Sequence, residues 1–152
     1  MAVISKIYTK ILAALLAFLG FSSTVSCAEY GTPSATYKAN GVVVSETDST
    51  PILGIQAVLL EKSNYASEDN FHKISTPTYS DNSGNFNVKG KTFPRQKILY
   101  VELTDIDGEE NGLFAGKVVE ADFSNVEFKG GSGNWYEGEA EINLGTIKMT
   151  LR

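Results

Sequence analysis

Residues 97–103 read Lys97-Ile98-Leu99-Tyr100-Val101-Glu102-Leu103. Leu99, Val101 and Leu103 fall on one side of a two-residue repeat. Aliphatic and aromatic residues fill the stretch, so it reads as a half-buried β-strand. The pattern recurs on both sides of it. Downstream, Gly116 to Phe123 puts Val119, Ala121 and Phe123 in phase, and Val126 and Phe128 extend it past a break. Upstream, Phe86 and Val88 alternate after Ser80-Asp81-Asn82-Ser83-Gly84, a hairpin-turn signal. Ile74 to Tyr79 reads as an edge strand, because Pro77 has no amide proton for a ladder.

Further upstream, Ile52 to Leu60 (ILGIQAVLL) is apolar on both faces and reads as a central strand. Tyr37 to Val44 carries Val42, Val43 and Val44, and the turn-formers of Ser45–Pro51 follow it. Ser63 to Asn70 is polar and suits a short helical turn. At the C-terminus, Trp135 to Leu151 alternates throughout, but the phase slips. Ala140, Ile142 and Leu144 are even; Ile147, Met149 and Leu151 are odd. Gly145 lies in the gap, so the spacing predicts a β-bulge or bend there. Helical periodicity is absent after residue 35. About seven strands spaced by turn signals predict an all-β Greek-key β-sandwich over residues 36–152.

The N-terminus reads differently. Lys6 and Lys10 precede the uncharged run Ile11–Phe21, and small residues follow up to Ser26. That is the plan of a cleaved signal peptide, residues 1–26. The run is shorter than the roughly 20 apolar residues of a membrane-spanning helix. Thr24-Val25-Ser26-Cys27 resembles a bacterial lipobox, with Thr24 where leucine is usual. Cys27 is the single cysteine, so it has no internal disulfide partner, and a thioether-linked lipid gives it a role. Residues 27–35 are then a lipidated cysteine and polar tether. Ala28 lacks the aspartate associated with inner-membrane retention, so the expected location is the cell envelope at the outer membrane.

Removing residues 1–26 takes two positive charges and no acid from a net charge of -5, leaving -7. Such a balance opposes binding to nucleic acid, whose phosphates need Lys and Arg.

Three polar or aromatic features carry possible chemistry. His72 is the only histidine, in Asn70-Phe71-His72-Lys73, and reads as a solvated loop residue. A hydrolytic triad would have to recruit it without any nucleophile-elbow pattern. Asp105, Asp107 and Glu109 would share one side of an extended backbone, which is what calcium would need; they form the candidate metal site. The competing reading is an acidic connecting loop with Asp-Gly and Asn-Gly turns, since the EF-hand spacing fails at Glu110 and Gly116. Trp135 and Tyr136, after the glycine-rich Gly130–Asn134, form the candidate ligand platform for a sugar ring or peptide. Adjacent strand residues face opposite ways, so at most one of them reaches the core.

Two resemblances add to this. Gly41-Val42-Val43, Pro51-Ile52-Leu53-Gly54-Ile55 with Val58, and Ser80-Asp81-Asn82-Ser83-Gly84-Asn85-Phe86 resemble carboxypeptidase regulatory-like domains. These are small transthyretin-like or immunoglobulin-like sandwiches frequent in exported proteins of Bacteroidetes. The physical reading agrees: Pro51 and Gly54 bracket the entry to the second strand, and Gly84 supplies a left-handed turn position before Phe86 returns to the core. The likeness implies a fold and no catalytic residue.

Cys27 with Glu29-Tyr30-Gly31-Thr32-Pro33, the segment Thr104–Gly112, and Phe128-Lys129-Gly130-Gly131 with Trp135-Tyr136 resemble the radical SAM-associated lipoproteins of Bacteroides and relatives. That resemblance implies association with a radical SAM enzyme. It does not make this chain such an enzyme, which would need three cysteines for its cluster. The expected function is therefore a non-catalytic envelope lipoprotein, without a cofactor, that binds an envelope protein, a peptide or a glycan. The alternatives are a substrate or accessory protein of the radical SAM enzyme, and a small glycan-active hydrolase.

Overall fold

The computed structural model describes Lys10, Ala14, Leu15 and residues 31–63, 70–133 and 135–152. The expected cleavage region and Cys27 lie outside the described residues, as does most of the turn expected at 63–70. Nine strands follow in chain order: β1 (Ser34–Ser45), β2 (Gln56–Lys62), β3 (Phe71–Lys73), β4 (Thr78–Tyr79), β5 (Asn85–Thr92), β6 (Ile98–Thr104), β7 (Lys117–Asp122), β8 (Lys129–Gly130) and β9 (Tyr136–Met149). They make two sheets. One runs β5-β1-β9-β8; the other runs β3-β2-β6-β7, with β4 also paired to β2. No helix occurs among the described residues of Thr32–Arg152.

The sheets bury one shared core. Tyr37, Ala39, Val88, Ala140 and Met149 come from the first sheet; Ala57, Leu59, Leu99, Val101 and Leu103 come from the second. Tyr37 is among the largest fully buried side chains. Its ring meets Phe123 and Phe128 edge to face at 5.0 and 5.4 Å, a favoured aromatic geometry. Its hydroxyl donates to the Phe93 carbonyl at 2.9 Å. Burial, with Glu61 nearby, pushes that hydroxyl's pKa up to about 12.

Strand β6 matches its sequence pattern, with Leu99, Val101 and Leu103 fully buried. So does β2, which lies inside its sheet and buries Val58 and Leu60 on the face away from the core as well. Other expectations are corrected. Strand β1 starts at Ser34, so the fully buried Ala35 belongs to the sheet and not to the tether. Strand β2 starts at Gln56 and not at Ile52. Ile52 and Ile55 are buried, but in a loop that turns at Gly54. Ser80 holds that loop: its Oγ donates to the Ile52 carbonyl at 2.7 Å and accepts the Ile55 amide at 2.9 Å.

The expected edge strand at 74–79 is broken, with β3 before it and β4 at its end. Together with β8, this raises the count from seven to nine. The Ser80–Gly84 turn is no hairpin, because β4 pairs with β2 in one sheet and β5 with β1 in the other. Asp81 Oδ1 accepts the amides of Ser83 and Asn85 at 2.8 and 2.9 Å, which tightens the crossing. The Asn85 side-chain amide, which also donates to this carboxyl, holds it below its ordinary pKa together with the Asn85 and Ser83 backbone amides.

The expected slip in β9 is present. Asn40 pairs with Asn143 and Val42 with Thr146, so β9 carries one extra residue there. Gly145 sits at φ 68°, and its amide donates to Asn143 Oδ1 at 2.7 Å. A second slip, between Tyr136 and Glu139, had no counterpart in the sequence reading. Strand β9 pairs with β1 in parallel, which joins the two ends of the domain.

Two tests follow from the backbone and the core. At Gly84 (φ +74°) a Cβ would lie 2.3 Å from the Val43 carbonyl oxygen, whereas at Gly145 it would meet nothing within 4 Å. Gly145→Ala is expected to cost about 1 kcal/mol of left-handed strain. Gly84→Ala is expected to cost at least about 3 kcal/mol, because strain and overlap add. Urea unfolding of the two variants measures both.

Tyr37 gives a pH test. An unfolded tyrosine titrates near 10, while the folded one keeps its proton to about 12. The contribution is therefore complete below pH 10 and declines as pH rises toward 12, by up to about 2–3 kcal/mol. Tyr37→Phe should flatten that part of the pH–stability profile and cost about 1 kcal/mol at neutral pH for the hydrogen bond to Phe93.

Candidate functional site

Strand β8 is two residues long, and the chain then turns through Gly130-Gly131-Ser132-Gly133 to Trp135. The glycines of this turn carry no side chain to pack over Trp135. Trp135 is anchored by its backbone: its carbonyl accepts the Ser34 amide at 2.8 Å. Its side chain is 46% exposed. Tyr136 opens β9. Its hydroxyl donates to Thr36 Oγ1 at 2.9 Å, and Lys91 Nζ stands 5.4 Å from the ring centre, within cation–π range. Thr36 lies between the core-facing Ala35 and Tyr37, so Tyr136 lies over the outer face of the first sheet. Trp135 precedes β9 and is exposed, and Tyr136 is half-buried, so neither ring belongs to the core.

A cleft of about 220 Å³ adjoins the two rings, bounded by Pro33, Gly131, Gly133 and Glu137. A larger one of about 630 Å³ opens beyond β8, between Asn125–Glu127 and Glu139 and Glu141 of β9. Gly130 lines the larger cleft and Gly131 the smaller, so the tip of β8 stands where they meet. Charges and amides dress the sheet face beside them. Lys38 pairs with Glu139, which raises the lysine's pKa. Asn40 Nδ2 donates to Glu141 Oε1 at 2.9 Å. The corner thus combines an exposed indole, a partly covered phenol and a ring of polar groups. It can grip a ring-shaped or extended polar ligand by stacking and hydrogen bonds. Thr36 and Lys91 were invisible as site residues in the sequence, since pairing across the sheet alone brings them to Tyr136.

The acidic segment adopts a different shape from the extended one its alternation assumed. The strand ends at Thr104, and residues 108–111 form turns. Asp105 Oδ2 accepts the Phe114 amide at 2.7 Å, and Asp107 Oδ2 accepts Asn111 Nδ2 at 2.5 Å. Asp107 also lies against Gly54, where a Cβ would come within 2.8 Å of its Oδ2. Among the described residues no three His, Cys, Asp or Glu side chains gather as a metal-binding group, so Asp105, Asp107 and Glu109 are not brought together.

His72 is exposed on β3, where it pairs with Glu61, and so lies on a strand and not in the expected loop. Asp105 follows Thr104, which pairs with Gln56 at the other end of β2. Five strand residues, about 17 Å, separate those registers, too far for a histidine–aspartate pair.

No family model matches the sequence, and no curated protein does either. Solved structures with some likeness include a 9R-lipoxygenase from Cyanothece PCC8801, with a TM-score of 0.43 and 13% identity over 74% of this chain and 16% of that one. Another is the dioxygenase domain of a dioxygenase–carbohydrate-binding protein fusion from Streptomyces sp. SirexAA-E, with a TM-score of 0.40 and 13% identity over 78% of this chain and 83% of that one. Likenesses at this level assign neither a family nor an activity.

The Asp105 contact yields a test. Asp105→Ala frees the Phe114 amide and is expected to cost about 1–3 kcal/mol. With Asp105 and Asp107 both engaged inside the loop, thermal melts in calcium and in chelator are expected to coincide. A calcium-dependent rise in melting temperature that vanishes in Asp105→Asn/Asp107→Asn would show that the loop reorganises around the ion.

Proposed function

We propose that this chain is a lipid-anchored, non-catalytic lipoprotein of a bacterial outer membrane, and that its Greek-key, transthyretin-like sandwich is a binding module. In this reading residues 1–26 are removed on export. Cys27 carries the lipid, and the chain works beside an associated radical SAM enzyme. The ligand we favour is a glycan, held at the β8–β9 corner. The observation that carries this is the exposed Trp135 ring beside a cleft and the half-covered Tyr136, with Lys91, Glu137 and Thr36 around them. Aromatic faces suit the apolar side of a sugar ring, and the surrounding polar groups suit its hydroxyls. The acids of the 105–110 loop sit on one short run and do not flank a cleft as a glycosidase pair must.

The decisive measurement is a glycan-array screen followed by titration calorimetry. Trp135→Ala is expected to weaken the best ligand at least about tenfold, as loss of a central aromatic contact does, with the circular dichroism unchanged. Turnover of a glycoside, ester or peptide that disappears in His72→Ala or Asp105→Ala would replace binding by catalysis. The anchor is tested separately. Cys27→Ser should abolish fatty-acid incorporation and partition into detergent, and a serine variant that behaves like the parent would remove the lipoprotein assignment. An intact mass that differs between hosts with and without the enzyme would make the chain its substrate.

A further inference from the structure

Strand β9 is paired along one whole side and nearly bare on the other. Strand β1 runs beside it from Tyr136 to Met149. On the opposite side β8 reaches only Gly138 and Glu139, and the next backbone partner is the Phe114–Leu151 bridge beyond the end of the strand. Among the described residues, no strand or loop pairs its backbone with residues 141–147 on that side. Lys117 Nζ donates to the Lys148 carbonyl, and Gly145 uses its amide on Asn143. The core-facing side chains there are also incompletely covered. Ile142 and Leu144 pack on the core but stay partly exposed, whereas Ala140, Ile147 and Met149 are buried. An open edge with an uncovered apolar row is a template for another strand.

The bulge selects the occupant. A two-fold pair of identical strands must run antiparallel and bring each residue against its counterpart about the axis. Upstream of the slip β9 exposes the odd-numbered Glu141 and Asn143; downstream it exposes the even-numbered Thr146 and Lys148. With the axis between Leu144 and Gly145, bulge meets bulge and every face matches. Glu141 then stands opposite Lys148 of a second copy, Ile142 opposite Ile147, and Asn143 opposite Thr146, each pair occurring twice. Opposite charges face each other at both ends and apolar residues line the inner side, which is what a cross-strand ladder requires.

From this we infer that β9 is a homodimer interface: two copies of the chain join their first sheets edge to edge through residues 141–148. The inference is independent of the glycan reading. The contact is small, so the dimer forms reversibly and depends on concentration.

Sedimentation equilibrium of the full chain in detergent tests it. The wild type is expected to shift from monomer to dimer with concentration. Glu141→Lys sets like charges together at both ends, and so does Lys148→Glu. Each alone is expected to raise the dissociation constant about tenfold or more. In an equimolar mixture of the two variants, each introduced charge faces its opposite on the other chain. The mixture is therefore expected to recover the wild-type association as a heterodimer, which a merely damaged fold would not do. A wild type that stays monomeric throughout overturns the proposal. So does dimerisation that neither charge change moves, or a mixture no more associated than its components. A monomer that instead takes up an unrelated extended peptide across 141–148 would give the edge a different occupant, and this too refutes the dimer.

Discussion

The sandwich is organised around one side chain. Tyr37 lies on β1, which is flanked by β5 and β9 in its own sheet and faces the second sheet across the core. Its ring is wedged between Phe123, just past β7, and Phe128, just before β8, and its hydroxyl reaches the connection from β5 to β6. Two segments far apart in sequence, at Phe93 and at Phe123 with Phe128, therefore converge on one side chain. The hydroxyl matters as much as the ring, because an unpaired phenol in this setting would cost a desolvation penalty on the order of the whole contact. A phenylalanine could fill the volume, yet it would leave the Phe93 carbonyl without that donor.

Local periodicity carries information about faces, and that part of the structure was legible. The alternation in β6, the two-sided burial of β2 and the slip at Gly145 all appeared in the sequence because each depends on the direction in which neighbouring side chains point. Pairing partners are another matter. Nothing in residues 34–45 says that β9 will lie beside them in parallel, since strand propensity is indifferent to the neighbour. Ile52–Ile55 was misread for a related reason. Buried apolar residues look the same in a strand and in a loop that plugs the end of a core, and the deciding contact is Ser80, 25 residues further on. The Ser80–Gly84 turn chemistry was legible, but a tight turn does not say whether the chain comes back to the same sheet or crosses to the other.

The candidate site divides in the same way. Trp135 and Tyr136 stand out in the sequence as adjacent aromatics after a glycine-rich turn, and the structure leaves both outside the core. Their surroundings do not stand out. Thr36, Lys91 and Pro33 reach the corner only through sheet pairing and the Ser34–Trp135 contact. The acidic loop shows the opposite case. Its composition suggested convergent carboxylates, but two of them are occupied with hydrogen bonds inside the loop, where Asp and Asn favour turns over extended chain.

The parallel pairing of β1 with β9 also orders events in time. The first strand of the domain completes its sheet only with the last, about a hundred residues away, so the most costly loop closure comes at the end. During synthesis β1 must wait, with Val43 and Tyr37 unshielded, until the final strand has left the ribosome. Early segments such as β5 can pair with β1 sooner, but the edge meant for β9 stays vacant throughout elongation. A chain built this way remains open until it is finished, which keeps it threadable through a narrow pore and also leaves it dependent on whatever holds unfolded chains apart until then.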